Sequence, residues 1–211
     1  RQCGGDKADA DELLKRVQIH EPQRKPIVSD TFEVIGQALV HRQRVRIVYY
    51  SESKKEETRR VVSPMRLNYY RNRWYLDAWC HERGALRSFN VENIRYADIM
   101  QMGVKVVPMK TVEAELDRYY GMYRSGDLQW ARIRFAGAAS KIASQVVWHP
   151  DQMELWLKDD LYELTIPYSG NSPELVGDIL RYGPAAKVVE PESLKDQVRE
   201  ALEASLKNYS K

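Results

Sequence analysis

Hydrophobic positions follow a helical spacing before residue 44 and a strand spacing after it. Phe32, Ile35 and Leu39 lie on one face of a predicted amphipathic helix that opens at Thr31. From residue 44 onward apolar and polar side chains alternate, which is typical of half-buried strands. The alternation predicts five short strands joined by tight turns, over residues 44–50, 59–67, 74–80, 86–91 and 95–102. One helix followed by five such strands predicts a small Sm-like or SH3-like β-barrel.

The second half of the chain has a mixed pattern. Residues 108–120 are predicted to form a connecting helix that ends at Gly121. Strands and helices then follow in β-α-β-β-α-β order, over residues 130–135, 138–148, 153–157, 162–167, 173–182 and 186–189. This order predicts a ferredoxin-like domain, so the whole chain is expected to be of the α+β class. Ser172 is the expected N-cap of the second of these helices, and Ser193 with Asp196 resembles a capping box for a final helix.

The pattern divides the chain into four segments. Residues 1–29 are expected to be a linker with a weak helical pattern at 9–17, because Pro22 and Pro26 break any continuation. We expect a first domain at 30–106, a connector at 107–126 and a second domain at 127–211. The chain begins without Met, and we expect it to be the downstream part of a longer protein.

Charge is distributed unevenly although the net charge is only +3. Residues 44–95 contain twelve Lys and Arg against six Asp and Glu, whereas residues 127–211 contain ten against thirteen. The basic first domain is therefore the candidate for an anionic partner. No apolar run approaches the roughly 18 residues that span a bilayer, and no signal peptide is recognisable. We expect a cytoplasmic protein that does not contact membranes, with Cys3 and Cys80 as free thiols.

Most of the candidate binding residues lie within residues 63–80. Strand alternation sorts this segment into two faces. The face predicted to be core carries Trp74, Leu76, Ala78 and Cys80, and the other carries Arg71, Arg73, Tyr75 and Asp77. Arginine forks and aromatic rings together bind phosphate groups and nucleobases. The alternative is a solvated sheet edge with Tyr75 capping the barrel, and Asp77 is expected to pair with a neighbouring arginine.

These residues predict a site for a nucleotide or a nucleic acid. The predicted phosphate ligands are Arg66, Arg71, Arg73 and Arg87, and Ser63 is expected to donate its hydroxyl to the same phosphate. The predicted stacking residues are Tyr50, Tyr75 and, at the edge, Trp74. Catalytic glycine-rich, serine and zinc-protease motifs do not occur, and the four histidines have no metal-ligand spacing. We therefore expect neither an enzyme nor a bound metal or cofactor.

Three motifs resemble a known family. They are Ser63-Pro64, Trp74-Tyr75-Leu76-x-Ala78 and Arg87-x-Phe89-x₄-Ile94. In this order and spacing, they make residues 31–102 similar to the WYL domain, a ligand-sensing module of bacterial transcriptional regulators. Residues 127–211 resemble the WCX extension that often follows it, through Ala131-x-Ile-Arg-Phe135, Trp148-His-Pro150, Gly183 and Pro191-x-x-Leu194.

The resemblance implies a fold and a function. Family members usually carry an N-terminal winged helix-turn-helix that binds promoter DNA, act as dimers, and sense an effector in a polar pocket of an Sm-like barrel. By motif position, Tyr50, Ser63, Tyr75 and Arg87 would line that pocket. The family often has arginine where this chain has Asn93, so Asn93 is also expected to contact the effector. The loss of that cation favours a wider track over one compact phosphate site.

Three hypotheses remain open. The first is a sensor of single-stranded DNA, with a role in the DNA-damage response, whose second domain mediates homodimerisation or closes over the ligand. The second keeps the sensor but replaces its ligand with a small or cyclic nucleotide. The third is an oligomerisation module whose arginines bind acidic patches on a partner subunit.

Overall fold

The computed structural model describes residues 30–52, 54–122, 124 and 127–209. Within them the chain forms two antiparallel sheets and five α-helices, which confirms the mixed α+β class. The helical pattern predicted at 9–17 lies outside the described residues. None of the helices in the described part of the chain is both long enough and apolar enough to span a bilayer.

The first sheet contains five strands in the order β4-β3-β2-β1-β5. They are β1 (Gln43–Ser51), β2 (Glu56–Tyr70), β3 (Arg73–Cys80), β4 (Ala85–Asn90) and β5 (Ile94–Gly103). The long strand β2 pairs with β1 through its first half and with β3 through its second half. Among the described strands β4 and β5 remain the two edges, so hydrogen bonding does not close the sheet into the predicted barrel.

The amphipathic helix predicted before the strands is confirmed as α1 (Asp30–Val40), which covers one face of this sheet. Its Ile35 and Ala38 are fully buried. They pack in one cluster with Val45, Ile47, Val62, Leu76 and Ala78, which define the core face of the first sheet. We call the opposite side the outer face. The predicted core side of β3 is confirmed, because Leu76, Ala78 and Cys80 are buried and Trp74 packs at the margin of the cluster.

A short helix, α2 (Met109–Leu116), connects the two sheets. Val112 and Leu116 bury its apolar side against Met65 and Leu86 of the first sheet. The helix is shorter than predicted because the backbone leaves helical geometry at its C-cap Asp117, where φ is −96° and ψ is 1°. The chain then turns at Gly121, which has a φ of 75°.

The second sheet has the strand order β7-β8-β6-β9. Its strands are β6 (Leu128–Ala136), β7 (Met153–Lys158), β8 (Leu161–Ser169) and β9 (Ala186–Glu190). The helices are α3 (Ala138–Ala143), α4 (Pro173–Leu180) and α5 (Glu192–Lys207). Up to β9, the order of elements is the predicted β-α-β-β-α-β. The core of this half forms between the helices and the inner side of β6 and β8.

Two local predictions for this half are wrong and one is confirmed. Helix α3 ends at Ala143 because the N–H groups of Gln145 and Val146 bond carbonyls only three residues back. Helix α5 begins before Ser193, since Pro191 occupies the N-cap position and accepts the Leu194 and Lys195 N–H groups. The predicted capping box is therefore absent from this helix start. Ser172 does cap α4, with its hydroxyl accepting the Leu175 N–H at 3.3 Å.

Candidate functional site

A cavity of about 440 Å³ opens at the end of the first sheet where the β1–β2 and β3–β4 turns lie. Strands β1 to β4 supply most of its wall, and Met122 and Arg124 close one side. Its cationic lining residues are Lys54, Arg60, Arg83, Arg87 and Arg124, and its aromatic ones are Tyr49, Tyr75 and Phe89. Pockets of this size typically hold a small organic ligand.

Strand register explains why two of the arginines reach the cavity. Arg60 lies opposite Ile47, and Arg87 lies opposite Ala78. Residues directly opposite each other in an antiparallel pair share a face. Both arginines therefore extend the core face beyond its apolar part, whereas Arg59 points to the outer face. Over the described ranges, neither Arg60 nor Arg87 has a carboxylate within ion-pair distance.

Tyr49 and Phe89 form an aromatic wall beside these arginines. Their rings meet edge to face, with centroids 5.2 Å apart. Burial raises the pKa of Tyr49, and a hydrogen bond with the Asn93 side chain acts in the opposite direction. Asn93 therefore contacts Tyr49 without itself lining the cavity. Tyr50, the next residue along β1, lies instead beneath the Arg95 guanidinium, 5.4 Å from the ring centroid.

Asp77 is the centre of a charged network on the outer face. Its side chain is fully buried and accepts hydrogen bonds from Arg66 Nε at 2.9 Å and Asn68 Nδ2 at 2.8 Å. Ser88 donates its hydroxyl to the same carboxylate, and Arg124 approaches it at 3.3 Å. Pairing of Asp77 with an arginine was predicted and is confirmed. Such a buried carboxylate needs at least one guanidinium group beside it, because its charge would otherwise be buried without a partner.

Arg66 joins this network to the connector. It donates both terminal nitrogens to Asp117 at the end of α2, one of them at 2.9 Å. The hydrogen bonds with Asp117, and then those with Asp77, raise the pKa of Arg66. The guanidinium is thus already engaged by two carboxylates of the chain itself, rather than directed into the cavity.

Arg71 joins the first sheet to a helix of the second half of the chain. It occupies the two-residue turn between β2 and β3, where Arg71 and Asn72 have φ values of 49° and 61°. Its guanidinium donates to Asp178 of α4 at 2.6 Å and to the Tyr120 hydroxyl at 3.0 Å. The neighbouring Arg73 begins β3 opposite Tyr70 and does not line the cavity.

Ser63 and Trp74 lie in packed surroundings. Ser63 is fully buried, and its oxygen is 2.9 Å from His81 Nε2 and accepts the Lys105 N–H at 2.8 Å. Trp74 packs edge to face against Phe32, with ring centroids 5.2 Å apart. Neither side chain reaches the cavity.

Of the nine residues predicted to bind an effector, the structure brings two into the cavity, Tyr75 and Arg87. The others lie outside it, namely Tyr50, Ser63, Arg66, Arg71, Arg73, Trp74 and Asn93. Which of them contact an effector stays a prediction. The cavity also contains Tyr49 and Arg124, which sequence reasoning missed. Alternation along β1 placed Tyr49 on the same side as Val45 and could have identified it, whereas nothing local to Arg124 indicates its position. Among the described residues no three His, Cys, Asp or Glu side chains form a metal-binding group.

Comparison with known proteins gives relatives of this chain. Protein PafC of Mycobacterium tuberculosis (strain CDC 1551 / Oshkosh) is 27% identical over 190 residues, which are 89% of this chain and 57% of PafC. The DNA-binding transcriptional repressor CapW of Escherichia coli (strain KTE188) is 32% identical over 66 residues, 31% of this chain and 22% of CapW. The chain thus spans little more than half the length of PafC.

Comparison with solved structures gives one likeness of fold and one weaker match. A CRISPR Cas-related protein superposes with a TM-score of 0.54 at 14% identity, over 85% of this chain and 51% of that protein. Proteasome accessory factor B/C (PafBC) of Arthrobacter aurescens gives a TM-score of 0.40 at 19% identity, over 90% of this chain and 29% of PafBC. Family comparison matches residues 30–99 to the WYL domain and residues 127–206 to the WCX domain. The chain therefore belongs to the WYL-domain family, with a WYL domain followed by a WCX domain.

Proposed function

We propose that this chain is the effector-sensing part of a transcriptional regulator and that its effector is single-stranded DNA, bound at the cavity of the WYL domain. One observation carries the proposal. Arg60 and Arg87 converge on one cavity without carboxylate partners in the described chain, beside the rings of Tyr49 and Tyr75. The two arginines would bind a backbone phosphate and the rings would stack on a base.

The expected binding energy supports a specific site. Each charge-assisted hydrogen bond contributes about 1.5–3 kcal/mol, and stacking on an aromatic ring contributes about 1–3 kcal/mol per base. Two arginines, with one such bond each, and one stacked base would contribute about 4–9 kcal/mol before the costs of association. Micromolar affinity requires about 8 kcal/mol net, so contacts with further nucleotides would have to supply the remainder. The surrounding Arg83 adds attraction for a polyanion, whereas Lys54 is paired at 3.7 Å with Glu56, which lines the same cavity.

A second cavity favours an oligonucleotide over a single nucleotide. It has a volume of about 220 Å³ and shares Arg87, Ser88, Met122 and Arg124 with the first. The two cavities adjoin at the β4 edge, so a strand could place successive nucleotides along them. DNA damage exposes single strands, and a role in the damage response is part of the same proposal.

A small or cyclic nucleotide is the second candidate. Arg66 is paired with Asp77 and Asp117, and Arg71 is paired with Asp178. Fewer of the predicted arginines therefore remain to bind the phosphates of a strand, which favours a small ligand. The remaining cations surround a volume suited to one nucleotide.

The relatives support the regulatory part of the proposal. CapW is a DNA-binding transcriptional repressor. We propose that promoter DNA is bound by an N-terminal domain that precedes this sequence, and that the protein is a cytoplasmic homodimer. The linker would end near residue 29, the WYL domain near residue 106 and the connector near residue 126, where the WCX domain follows. The strand order of the second sheet supports a ferredoxin-like WCX domain, and the curvature of the first sheet would be that of an open Sm-like barrel. The effector must bind two arrangements of the dimer unequally in order to signal.

Fluorescence anisotropy with a labelled single-stranded oligothymidylate tests the proposal. We expect saturable binding that Arg60→Ala and Arg87→Ala each weaken by about tenfold, the equivalent of one charge-assisted contact. Arg59→Ala is the matched control, because Arg59 neighbours Arg60 in sequence and points to the other face. Binding that is unsaturable, or that all three variants weaken equally, would contradict the proposal.

Competition separates the two candidate ligands. If single-stranded DNA is the effector, a mononucleotide or cyclic dinucleotide should displace the oligonucleotide weakly, and affinity should rise with strand length until the groove is filled. Complete displacement by a small nucleotide at a lower concentration than an unlabelled oligonucleotide would establish the second candidate.

A further inference from the structure

Arg124 is an arginine of the connector, outside the residues matched to either domain. Its side chain is only 10% exposed and lines both cavities. One terminal nitrogen hydrogen-bonds Ser88 and lies 3.3 Å from Asp77, and the other lies 3.6 Å from Asp117. The guanidinium thus touches the first sheet, the end of α2 and the cavity at once.

The charge of Arg124 is incompletely satisfied. Its Nε is buried and has no hydrogen-bond partner in the described chain. Burial lowers the pKa of Arg124 against the opposing effect of Asp77 and Asp117. A buried guanidinium that lacks one partner is stabilised by any anion that reaches it, since the cost of desolvation has already been met.

Arg124 is also the more weakly held of the two arginines in the network. Arg66 bonds the same carboxylates, Asp77 and Asp117, at 2.9 Å, shorter than either ion-pair distance of Arg124. An anion entering the cavity would therefore compete for Arg124 before it competed for Arg66.

We propose that Arg124 binds the anionic effector and couples it to the connector, by exchanging its contacts with Asp77 and Asp117 for the bound phosphate. This inference rests on the proposed function and adds a residue and a route for the signal. Asp117 is the C-cap of α2. Loss of its contact with Arg124 loosens the connector between the WYL and WCX domains, so occupancy of the cavity changes how firmly the two are joined.

Two measurements on the full chain test this exchange. The first is the affinity for the labelled oligothymidylate, and the second is hydrogen exchange of the amides in residues 108–122 with and without it. In the unmodified chain we expect the oligonucleotide to increase exchange near Asp117. In Arg124→Gln we expect about tenfold weaker binding and, at saturating oligonucleotide, no change in exchange. Arg124→Lys keeps the charge and should retain part of both effects.

A substitution of Asp117, which competes with the phosphate for Arg124, should change the affinity in the opposite direction. Asp117→Asn removes a competitor for Arg124 and should tighten oligonucleotide binding several-fold. It also releases Arg66, so the double variant Asp117→Asn with Arg124→Gln is needed. Loss of the tightening in the double variant assigns it to Arg124, and its persistence assigns it to Arg66 and contradicts the proposal.

The outcomes separate this inference from the proposed function. Arg59→Gln, an exposed arginine on the outer face, is the charge-matched control and should behave like the unmodified chain. If Arg87→Ala weakens binding about tenfold while Arg124→Gln binds normally or keeps the exchange response, the coupling role of Arg124 is wrong and the sensor proposal stands. If the unmodified chain binds no oligonucleotide, both are wrong.

Discussion

The Arg71 guanidinium, in the turn between β2 and β3, lies 2.6 Å from the Asp178 carboxylate in α4. Asp178 is 4% exposed and also accepts the Tyr120 hydroxyl at 2.6 Å. Burial and this hydrogen bond raise the pKa of Tyr120, so the phenol remains a donor. A residue of the WYL domain thus neutralises a buried charge of the WCX domain, and this ion pair joins the β2–β3 turn to α4.

Removal of Arg71 should destabilise the protein. Arg71→Ala leaves Asp178 buried with Tyr120 as its main partner, and we expect the free energy of unfolding to fall by about 2 kcal/mol, measured by urea unfolding. Arg181→Ala is the matched control, because Arg181 approaches the same carboxylate at 3.9 Å and is 78% exposed. Exposed pairs contribute about 0–1 kcal/mol. Equal effects of the two substitutions would show that Arg71 does not stabilise the domain contact.

Asp77 should be the most sensitive charged position of the WYL domain. Asp77→Asn removes the charge that Arg66 and Arg124 share, and both guanidinium groups are largely buried. We expect a loss of about 3–5 kcal/mol in the free energy of unfolding, the usual result of breaking one side of a buried ion pair. Asp98→Asn, which removes the exposed partner of Arg46, should change stability by less than about 1 kcal/mol.

The faces of a single strand could be predicted from the alternation of apolar and polar residues. This alternation gave the core side of β3, and it placed Asp77 on the face with the arginines, where its pairing was expected. Register between strands was not predictable. A register shift lies between Pro64 and Arg66 of β2, and β4 meets β3 with Arg87 opposite Ala78. Arg66 and Arg87 therefore occupy opposite faces of the sheet, although the sequence predicts that they share a site.

The carboxylate partners of Arg66 and Arg71 could not be predicted from the sequence either. The partner of Arg71 is 107 residues away, and the partner of Arg66 at the end of α2 is 51 residues away. Nothing local indicates that these arginines are already neutralised, since Asp117 meets Arg66 only after α2 packs on the first sheet, and Asp178 meets Arg71 only after the two domains pack. The order of the elements follows from local periodicity, whereas the composition of the cavity follows from tertiary contacts.

Gly121 is a position where any side chain should be harmful. Its φ is 75°, and a Cβ there would collide with the Glu174 carboxylate, which accepts the Met122 N–H at 2.7 Å. Gly121→Ala should lower the free energy of unfolding by about 3 kcal/mol, the sum of left-handed backbone strain and a disrupted hydrogen bond. Gly84→Ala is the control, since Gly84 has a φ of 59° with open space around it. There strain alone should cost about 1 kcal/mol.

Stability should decrease in mildly acidic solution because of His81. Neutral His81 can accept the Ser63 hydroxyl hydrogen at Nε2, and burial together with the nearby Arg44 lowers the pKa of His81 below its ordinary 6.5. The unfolded chain then binds a proton more readily than the folded one, so the free energy of unfolding falls as pH falls below about 6.5. His81→Gln offers a carbonyl acceptor that does not titrate. In urea unfolding series across this range, its pH dependence should be flatter, and an unchanged slope would contradict the assignment.

The dependence of oligonucleotide affinity on salt should count the arginines that contact phosphate. For single strands, the logarithm of the binding constant falls with the logarithm of salt concentration by about 0.7 per neutralised phosphate. Arg87→Ala should therefore weaken affinity and also reduce this slope by about 0.7. Arg59→Ala carries the same change in net charge but removes a group on the outer face, so its slope should match that of the unmodified chain. If both substitutions reduced the slope equally, Arg87 would attract the strand only by long-range electrostatics, as any positive charge of the domain does, and not by contact with a phosphate. A reduced slope for Arg87→Ala alone requires its guanidinium to neutralise a phosphate directly, as the register that brings Arg87 to the core face leads us to expect.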